Sequence, residues 1–217
     1  MENALESVTV RRVVKRFGST VALRGVDAEF QAGRVNLIVG ENGSGKSTLL
    51  GIIGTMMRPT SGSVAYRLAG GQELDDVQVR SNLGWVSHEA LAYPDLSGRA
   101  NIALAAELHG VPVEAVWSDL VRQFDLGAFV ERPLRTNSRG QRQRVALAKA
   151  LLHEPSVVLL DEPTTGLDAS GVERLLDVIR ACVSRRAIVI VVAHDPDTFA
   201  RFEPVRVRLA RGRVEPV

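Results

Sequence analysis

Cysteine and long apolar runs are almost absent from this 217-residue chain. Its single cysteine, Cys182, cannot form an internal disulfide, and this fits a reducing compartment. We expect Cys182 to be a small buried apolar residue in a helix. The longest apolar stretch, 187–193, is seven residues long, whereas a membrane-spanning helix needs about 20. The first seven residues include acidic side chains and no apolar run, unlike a secretory signal. We therefore expect a cytoplasmic protein that reaches the inner face of the cell membrane only through a partner.

Charge of one sign is not in excess either, since 27 basic and 25 acidic residues leave a formal net charge of +2. A strongly basic balance would be needed to argue for a nucleic-acid partner, so none is expected. Apolar residues make up 45% of the chain, as in ordinary globular proteins. The length suits a single domain, or one domain with a sub-domain.

The most informative feature present is a glycine-rich loop with the spacing G-x-x-x-x-G-K-S. With the residue that follows, it comprises Gly40, Glu41, Asn42, Gly43, Ser44, Gly45, Lys46, Ser47 and Thr48. Glycines let consecutive backbone N–H groups wrap a polyphosphate, while Lys46 would reach the β- and γ-phosphates and the Ser47 hydroxyl would ligate Mg²⁺. An apolar run before the loop predicts a buried strand, and a helix predicted after it directs its N-terminal N–H groups at the anion. A glycine-rich turn without a ligand is the alternative, and this context disfavours it.

Strand signals occur on both sides of a long helical stretch. Apolar or β-branched runs predict strands at 8–14, 26–30, 35–39, 64–68, 157–160 and 188–192, and a terminal hairpin around Gly212. The run at 26–30 alternates apolar and acidic residues, as in a half-exposed antiparallel strand. Acidic residues at 73–76 indicate an exposed connection. The helix predicted at 170–183 begins with capping-box spacing between Ser170 and Glu173.

The middle of the chain has helical periodicity instead, with helices predicted at 98–109, 112–124 and 141–153. This stretch indicates a helical sub-domain inserted into an α/β core. We expect a single domain in which 1–88 and 156–217 form the core and 89–155 forms the helical sub-domain.

An acidic pair, Asp161 and Glu162, follows the apolar strand predicted at 157–160. The carboxyl end of such a strand lies near the phosphate loop in a doubly wound sheet. Asp161 is therefore a candidate ligand of the Mg²⁺ shell, and Glu162 a candidate general base for water. The alternative is two acids that only end a strand and begin a turn.

Residues 137–141 precede a basic helix and resemble the Leu-Ser-Gly-Gly-Gln signature of ATP-binding cassette (ABC) ATPases. They are Asn137, Ser138, Arg139, Gly140 and Gln141. The resemblance implies an α/β P-loop NTPase fold of the ABC type, with an antiparallel β sub-domain and an inserted helical sub-domain. It also implies two subunits facing head to tail, so that Ser138 and the Gly140 N–H of one meet the γ-phosphate of ATP in the loop of the other.

Three further residues match this family in order along the chain. Phe17 matches the aromatic residue that stacks on adenine, Asp168 lies in the Gly-Leu-Asp loop across the dimer interface, and His194 matches the histidine that contacts the γ-phosphate. Each match has a plainer alternative: a strand aromatic, a helix-entry residue and a structural histidine, respectively.

Two positions depart from the family. His88 stands where a glutamine usually contacts Mg²⁺ and the attacking water, and we retain it as a hypothetical catalytic or coupling residue whose charge can depend on pH. In the signature, Asn137 replaces leucine and Arg139 replaces the first glycine. Arg139 either adds a cation near the γ-phosphate of the other subunit or points to solvent.

These departures, with the Tyr-Pro-Asp-Leu segment at 93–96, resemble the ATPase subunit of the cytochrome c maturation haem exporter. The resemblance implies a homodimer on ATP binding, or a heterodimer with a related cassette, that powers an integral membrane transporter subunit. The region from His88 to about Leu108 would contact that subunit. Alternatives are another drug, lipid or polysaccharide exporter, a non-transport ABC ATPase, and a regulatory cassette without hydrolysis.

Overall fold

The computed structural model describes residues 4–87 and 92–215 and contains two β-sheets with helices around them. The strands are β1 (Leu5–Phe17), β2 (Thr20–Gln31), β3 (Arg34–Val39), β4 (Ser61–Leu68), β5 (Leu83–Val86), β6 (Val157–Asp161), β7 (Ile188–Val192), β8 (Val205–Ala210) and β9 (Arg213–Glu215). The helices are α1 (Lys46–Ile53), α2 (Asp76–Ser81), α3 (Gly98–Leu108), α4 (Val113–Phe124), α5 (Arg139–Leu151) and α6 (Ala169–Ser184). Short 3₁₀ helices occur at Ala128–Glu131, Leu134–Thr136 and Pro196–Phe202.

The larger sheet has the strand order β5-β6-β7-β3-β8-β9. Its first five strands are parallel, and β9 pairs antiparallel with β8 around the turn at 211–212. The smaller sheet, β2-β1-β4, is antiparallel throughout. The predicted fold class is therefore confirmed, with α3, α4 and α5 lying between β5 and β6 in the chain. The sub-domain boundaries remain a prediction.

The central strands are buried on both faces, which is why their sequences are continuously apolar. Alternate residues enter two different cores because successive side chains of a strand point to opposite faces. Leu37 and Val191 pack with α5 and α6 on one face, whereas Ile38 and Val192 pack with α1 and the antiparallel sheet on the other. This packing holds the carboxyl ends of β3, β6 and β7 side by side. None of the helices in the two described ranges is long and apolar enough to cross a membrane.

One short helix was not predicted, and one expected helix cap is wrong. The acidic connection at 73–76 leads into a short helix, α2, because Asp75 and Gln78 form a complete capping box at its start. Helix α6 is capped by Asp168, whose carboxylate accepts a hydrogen bond from the Gly171 N–H, and not by Ser170 with Glu173. In both cases an aspartate just ahead of the helix satisfies N–H groups that have no partner within the first turn.

Candidate nucleotide site

The glycine-rich loop joins the end of β3 to the start of α1. Gly45 adopts a φ of +106° as the N-cap of α1, a conformation that glycine tolerates without a steric cost. Lys46 is buried, and its ammonium donates hydrogen bonds to the carbonyl oxygens of Gly40 at 2.8 Å and Glu41 at 2.9 Å. An ammonium has three N–H donors. Two of these donors are used in the bonds within the described chain, so one remains to donate to a phosphate oxygen.

The acidic pair lies at the same edge of the sheet. Asp161 and Ile38 both pair with Val192, from opposite sides of β7, so the ends of β3 and β6 are separated by a single strand. The Glu162 N–H donates to the Val192 carbonyl oxygen at 2.8 Å. Asp161 is only 6% exposed, whereas Ser47, on the first turn of α1, is exposed. The strand register therefore places Asp161 and Glu162 at the same edge of the sheet as the start of the phosphate loop.

One contact in this cluster was not predicted from the sequence. The His194 Nε2 lies 2.8 Å from the Glu162 Oε1, and the Glu162 side chain is 20% exposed while that of His194 is 56% exposed. The contact forms because Glu162 follows β6 and His194 follows β7, which are parallel neighbours. The imidazole thus holds the carboxylate at the mouth of the site.

The signature segment forms the N-terminus of α5. The Ser138 hydroxyl accepts a hydrogen bond from the Gln141 N–H at 3.2 Å, and the Gln141 side chain accepts one from the Ser138 N–H at 3.0 Å. This reciprocal pair is a capping box, which leaves the first turn of the helix well defined. Asn137 is only 4% exposed, and neither its side-chain oxygen nor its nitrogen has a hydrogen-bond partner among the described residues.

The segment also packs against the loop at 163–168 of its own chain. A Cβ on Gly140 would lie 2.7 Å from the Gly166 carbonyl oxygen, and a Cβ on Gly166 would lie 2.7 Å from the Arg139 Cγ. Gln143 donates to the Pro163 carbonyl oxygen at 3.0 Å. No hydrogen bond joins the signature to the phosphate loop among residues 4–87 and 92–215. Within one chain the two halves of the predicted ATP site are therefore separate.

The remaining predicted residues occupy different places. Phe17 is 51% exposed at the end of β1, with the Lys15 ammonium 5.1 Å from its ring centroid. Asp168 caps α6, and hydrogen bonds from the Gly171 N–H and the Ser170 hydroxyl lower the pKa of its carboxyl. His88 lies outside the described residues.

A cavity lies between β5, α3 and α5. Its lining includes Trp85, Tyr93, Leu108, His109 and His153. The two imidazoles stack with their centroids 3.6 Å apart, and burial together with the neighbouring imidazole lowers the pKa of His153 to about 4. Tyr93 is 60% exposed and Leu108 is 79% exposed, so the rim of the cavity presents apolar surface.

A phosphate loop between a buried parallel strand and a helix, with an acidic pair ending a neighbouring strand, defines a P-loop nucleoside triphosphatase. A family model described as ABC transporter matches residues 23–165. The chain therefore belongs to the ABC transporter family, and within it the chain is an ATP-binding ABC-type ATPase.

Individual relatives agree with this family. The chain is 33% identical over 228 residues to the lipoprotein-releasing system ATP-binding protein LolD 1 of Caulobacter vibrioides, covering 99% of this chain and 95% of the relative. It is 34% identical over 189 residues to the daunorubicin resistance ATP-binding protein DrrA3 of Streptomyces coeruleorubidus, covering 85% of this chain and 59% of that protein.

Among solved structures, a dimeric ATP-binding cassette in a post-hydrolysis state, bound to ADP and Pi, is similar with a TM-score of 0.82 and 29% identity. The match covers 96% of this chain and 97% of that one. These comparisons do not support the narrower resemblance to the haem exporter.

Proposed function

We propose that the chain is the ATP-hydrolysing subunit of an ABC transporter and that it powers a separate membrane subunit. The observation that carries the proposal is the Glu162–His194 contact of 2.8 Å, at the sheet edge where the phosphate loop begins. A carboxylate held beside a phosphate-binding loop suits activation of water for attack on a γ-phosphate.

The nucleotide is bound chiefly by the loop. Its N–H groups and the α1 dipole favour the phosphates, and Lys46 turns its remaining donor to the β- and γ-phosphates. Phe17, exposed at the end of β1, offers its ring to the adenine. Both contacts are the ones implied by the family resemblance.

The residues present also suit Mg²⁺. The ion takes oxygen ligands and retains waters and substrate phosphates, so it needs few protein groups. Ser47 supplies a hydroxyl and Asp161 a carboxylate, and no group of three or more His, Cys, Asp or Glu in the described ranges is arranged to hold a metal unaided. Bound there, Mg²⁺ would neutralise charge on the nucleotide phosphates.

Glu162 acts as the general base, taking a proton from the attacking water. His194 positions the Glu162 carboxylate through their contact and lies exposed, where it also meets the γ-phosphate. In this arrangement the histidine links the base to the phosphate that is cleaved.

An ATPase assay of Glu162→Gln tests this assignment, and we expect turnover to fall by about 10²–10⁴-fold. Asp177→Asn, which changes an exposed acid of α6 paired with Arg180, is the control and should retain normal turnover. Turnover of Glu162→Gln equal to that of the unaltered chain would rule out Glu162 as the base.

A complete site needs a second copy. Ser138, Gly140 and Asp168 lie on the α5 and α6 starts, separate from the phosphate loop of the same chain, and the similar solved cassette is a dimer. Two copies facing head to tail would bring each signature to the other copy's ATP.

Sedimentation in the presence of ATP tests this pairing. Glu162→Gln should sediment as a dimer, whereas Lys46→Ala should remain monomeric; the same mass for both would count against ATP-dependent pairing.

The membrane subunit would dock on the cavity between β5, α3 and α5. Tyr93 and Leu108 form an exposed apolar rim there, and the predicted contact region from His88 to about Leu108 includes both. Arg99 belongs to that region but is held within the chain by Glu114 at 3.1 Å, so it is a poor probe of docking.

Tyr93→Ala should uncouple transport and spare basal ATPase. Val77→Ser, an exposed apolar residue of α2, should change neither, and equal losses of both activities in Tyr93→Ala would refute the docking site.

The transported substrate is a narrower hypothesis. The relatives named above serve lipoprotein release and daunorubicin resistance, which favours an exporter, while haem export rests only on His88, the 93–96 segment and the Ser-Arg-Gly signature. ATPase stimulation of the purified complex by haem, by a lipoprotein or by a drug distinguishes these classes. A His88→Gln variant with an unchanged ATPase rate and pH profile would remove the role proposed for His88.

A further inference from the structure

The terminal hairpin directly touches the phosphate loop. The Gly212 N–H, in the turn between β8 and β9, donates a hydrogen bond to the Ser44 carbonyl oxygen at 3.0 Å. A Cβ on Gly40 would lie 2.1 Å from the Leu209 carbonyl oxygen, so the first glycine of the loop lies against β8. The loop is thus supported along its outer side by the last strand pair of the described chain.

A third segment closes this arrangement. The Arg24 N–H donates to the Gly212 carbonyl oxygen at 2.8 Å. The Ala22 carbonyl oxygen would lie 2.5 Å from a Cβ on Gly212 and 2.9 Å from a Cβ on Gly45. The hairpin turn, β2 and the loop therefore approach so closely that no side chain fits at their meeting point.

The bond from Gly212 has a directional consequence. A trans peptide is planar, and its C=O and N–H point in opposite directions. Holding the Ser44 carbonyl oxygen toward the hairpin therefore turns the Gly45 N–H away from it, into the loop. Within the described residues, the Gly45 N–H donates no hydrogen bond, so this donor is available to a phosphate.

We propose that Gly212 is a positioning residue for ATP: its N–H fixes the Ser44–Gly45 peptide and thereby aims the Gly45 N–H at the nucleotide phosphates. The inference rests on the proposed nucleotide site. It adds to that site a residue that lies 166 positions after Lys46 in the sequence. In this proposal the hairpin acts on the nucleotide through the loop.

The variant Gly212→Ala tests the inference, with Gly71→Ala as a matched control. Both glycines have left-handed backbones, with φ of +77° and +82°, but nothing lies within 4 Å of a Cβ on Gly71. The left-handed backbone strains alanine equally in both variants, but only in Gly212→Ala does the new Cβ displace the turn. We expect Gly212→Ala to raise the Kd for ATP, and the KM of the ATPase, by about tenfold, as for loss of one charge-assisted hydrogen bond. Gly71→Ala should bind ATP normally.

Binding with the normal Kd by a folded Gly212→Ala, or an equal loss in both variants, would overturn the inference. If Gly212→Ala does not fold, amide hydrogen exchange of the unaltered chain gives the answer, because linkage is reciprocal. A nonhydrolysable ATP analogue should then slow exchange of the 205–215 segment several-fold and leave 61–68 unchanged; unchanged exchange at 205–215 would overturn it.

Lys46→Ala separates this inference from the proposed function. Loss of ATP binding in Lys46→Ala together with normal binding in Gly212→Ala would refute only the role of the hairpin. Normal binding in Lys46→Ala would refute the nucleotide site itself.

Discussion

Asn137 should destabilise the fold, and its replacement by leucine should stabilise it. The side chain is 4% exposed, and both of its polar atoms lack hydrogen-bond partners within the described residues. Its backbone groups are satisfied, because its N–H donates to the Leu134 carbonyl oxygen and its own carbonyl oxygen accepts from Arg142. The penalty therefore lies in the side-chain amide alone.

The magnitude follows from the cost of an unpaired buried polar group, about 1–3 kcal/mol. Leucine has the same number and branching of heavy atoms, but its methyl groups are larger, so tighter packing removes part of the gain. We expect Asn137→Leu to raise the free energy of unfolding by about 1–2 kcal/mol. For a chain of this size the melting temperature should rise by about 2–4 °C for each kcal/mol.

A second buried asparagine provides the control. Asn101 is 2% exposed, but its side chain accepts from the Tyr93 N–H at 2.8 Å and donates to the carbonyl oxygens of Tyr93 and Ser97, both at 3.0 Å. Asn101→Leu makes the same chemical change and removes the acceptor of the Tyr93 N–H, while the two carbonyl oxygens keep their backbone donors, the Leu96 and Asn101 N–H groups. It should therefore lower stability by about 1–3 kcal/mol.

Urea unfolding of the three proteins measures both effects, and the slope m should stay constant while the midpoint moves. A midpoint of Asn137→Leu at or below that of the unaltered chain would refute the reasoning. Equal destabilisation by both substitutions would show that hydrogen bonding does not distinguish the two asparagines.

Three further outcomes are expected. Gly54→Ala should cost about 1–3 kcal/mol, because its Cβ would lie 1.7 Å from a ring carbon of Trp85; adding Trp85→Leu should restore part of the loss, and strict additivity in urea unfolding would contradict this. The pKa of His153 is lowered to about 4, below the value of about 6.5 in an unfolded chain. The unfolded state therefore binds the proton first, and the free energy of unfolding falls as the pH drops from about 6.5 toward 4. His153→Phe should flatten this slope between about pH 7 and pH 5, and an unchanged slope would refute it. Arg139→Gly should weaken ATP-dependent dimers of Glu162→Gln severalfold in sedimentation; undiminished dimers would favour a solvent-facing arginine.

The sequence was most informative where structure is decided locally. Strands β3, β6 and β7 are apolar throughout because they are covered on both faces, and the phosphate-loop pattern is contiguous. Helix α2 was missed although its signal was present, since Asp75 and Gln78 have capping-box spacing. The cap of α6 was misassigned because Asp168 and Ser170 are both suitable capping residues, and the spacing alone does not choose between them.

Contacts between distant parts of the chain were not predictable in this way. The Glu162–His194 contact depends on the parallel register of β6 and β7, which pairs Asp161 with Val192. The burial of Asn137 depends equally on how the helices pack. The functional roles assigned to the site residues stay predictions, and His88 lies outside the described residues.

The close approach of Arg139 and Gly166 couples substitutions at the two positions. A Cβ at 166 would meet the Arg139 Cγ at 2.7 Å, and the φ of +80° at Gly166 by itself disfavours any other residue. Alanine at 166 would therefore be strained and would also displace the arginine side chain, whereas shortening that side chain first would relieve only the second effect. The cost of a substitution at 166 should thus depend on which residue occupies 139, and the effects of single variants at the two positions should not add.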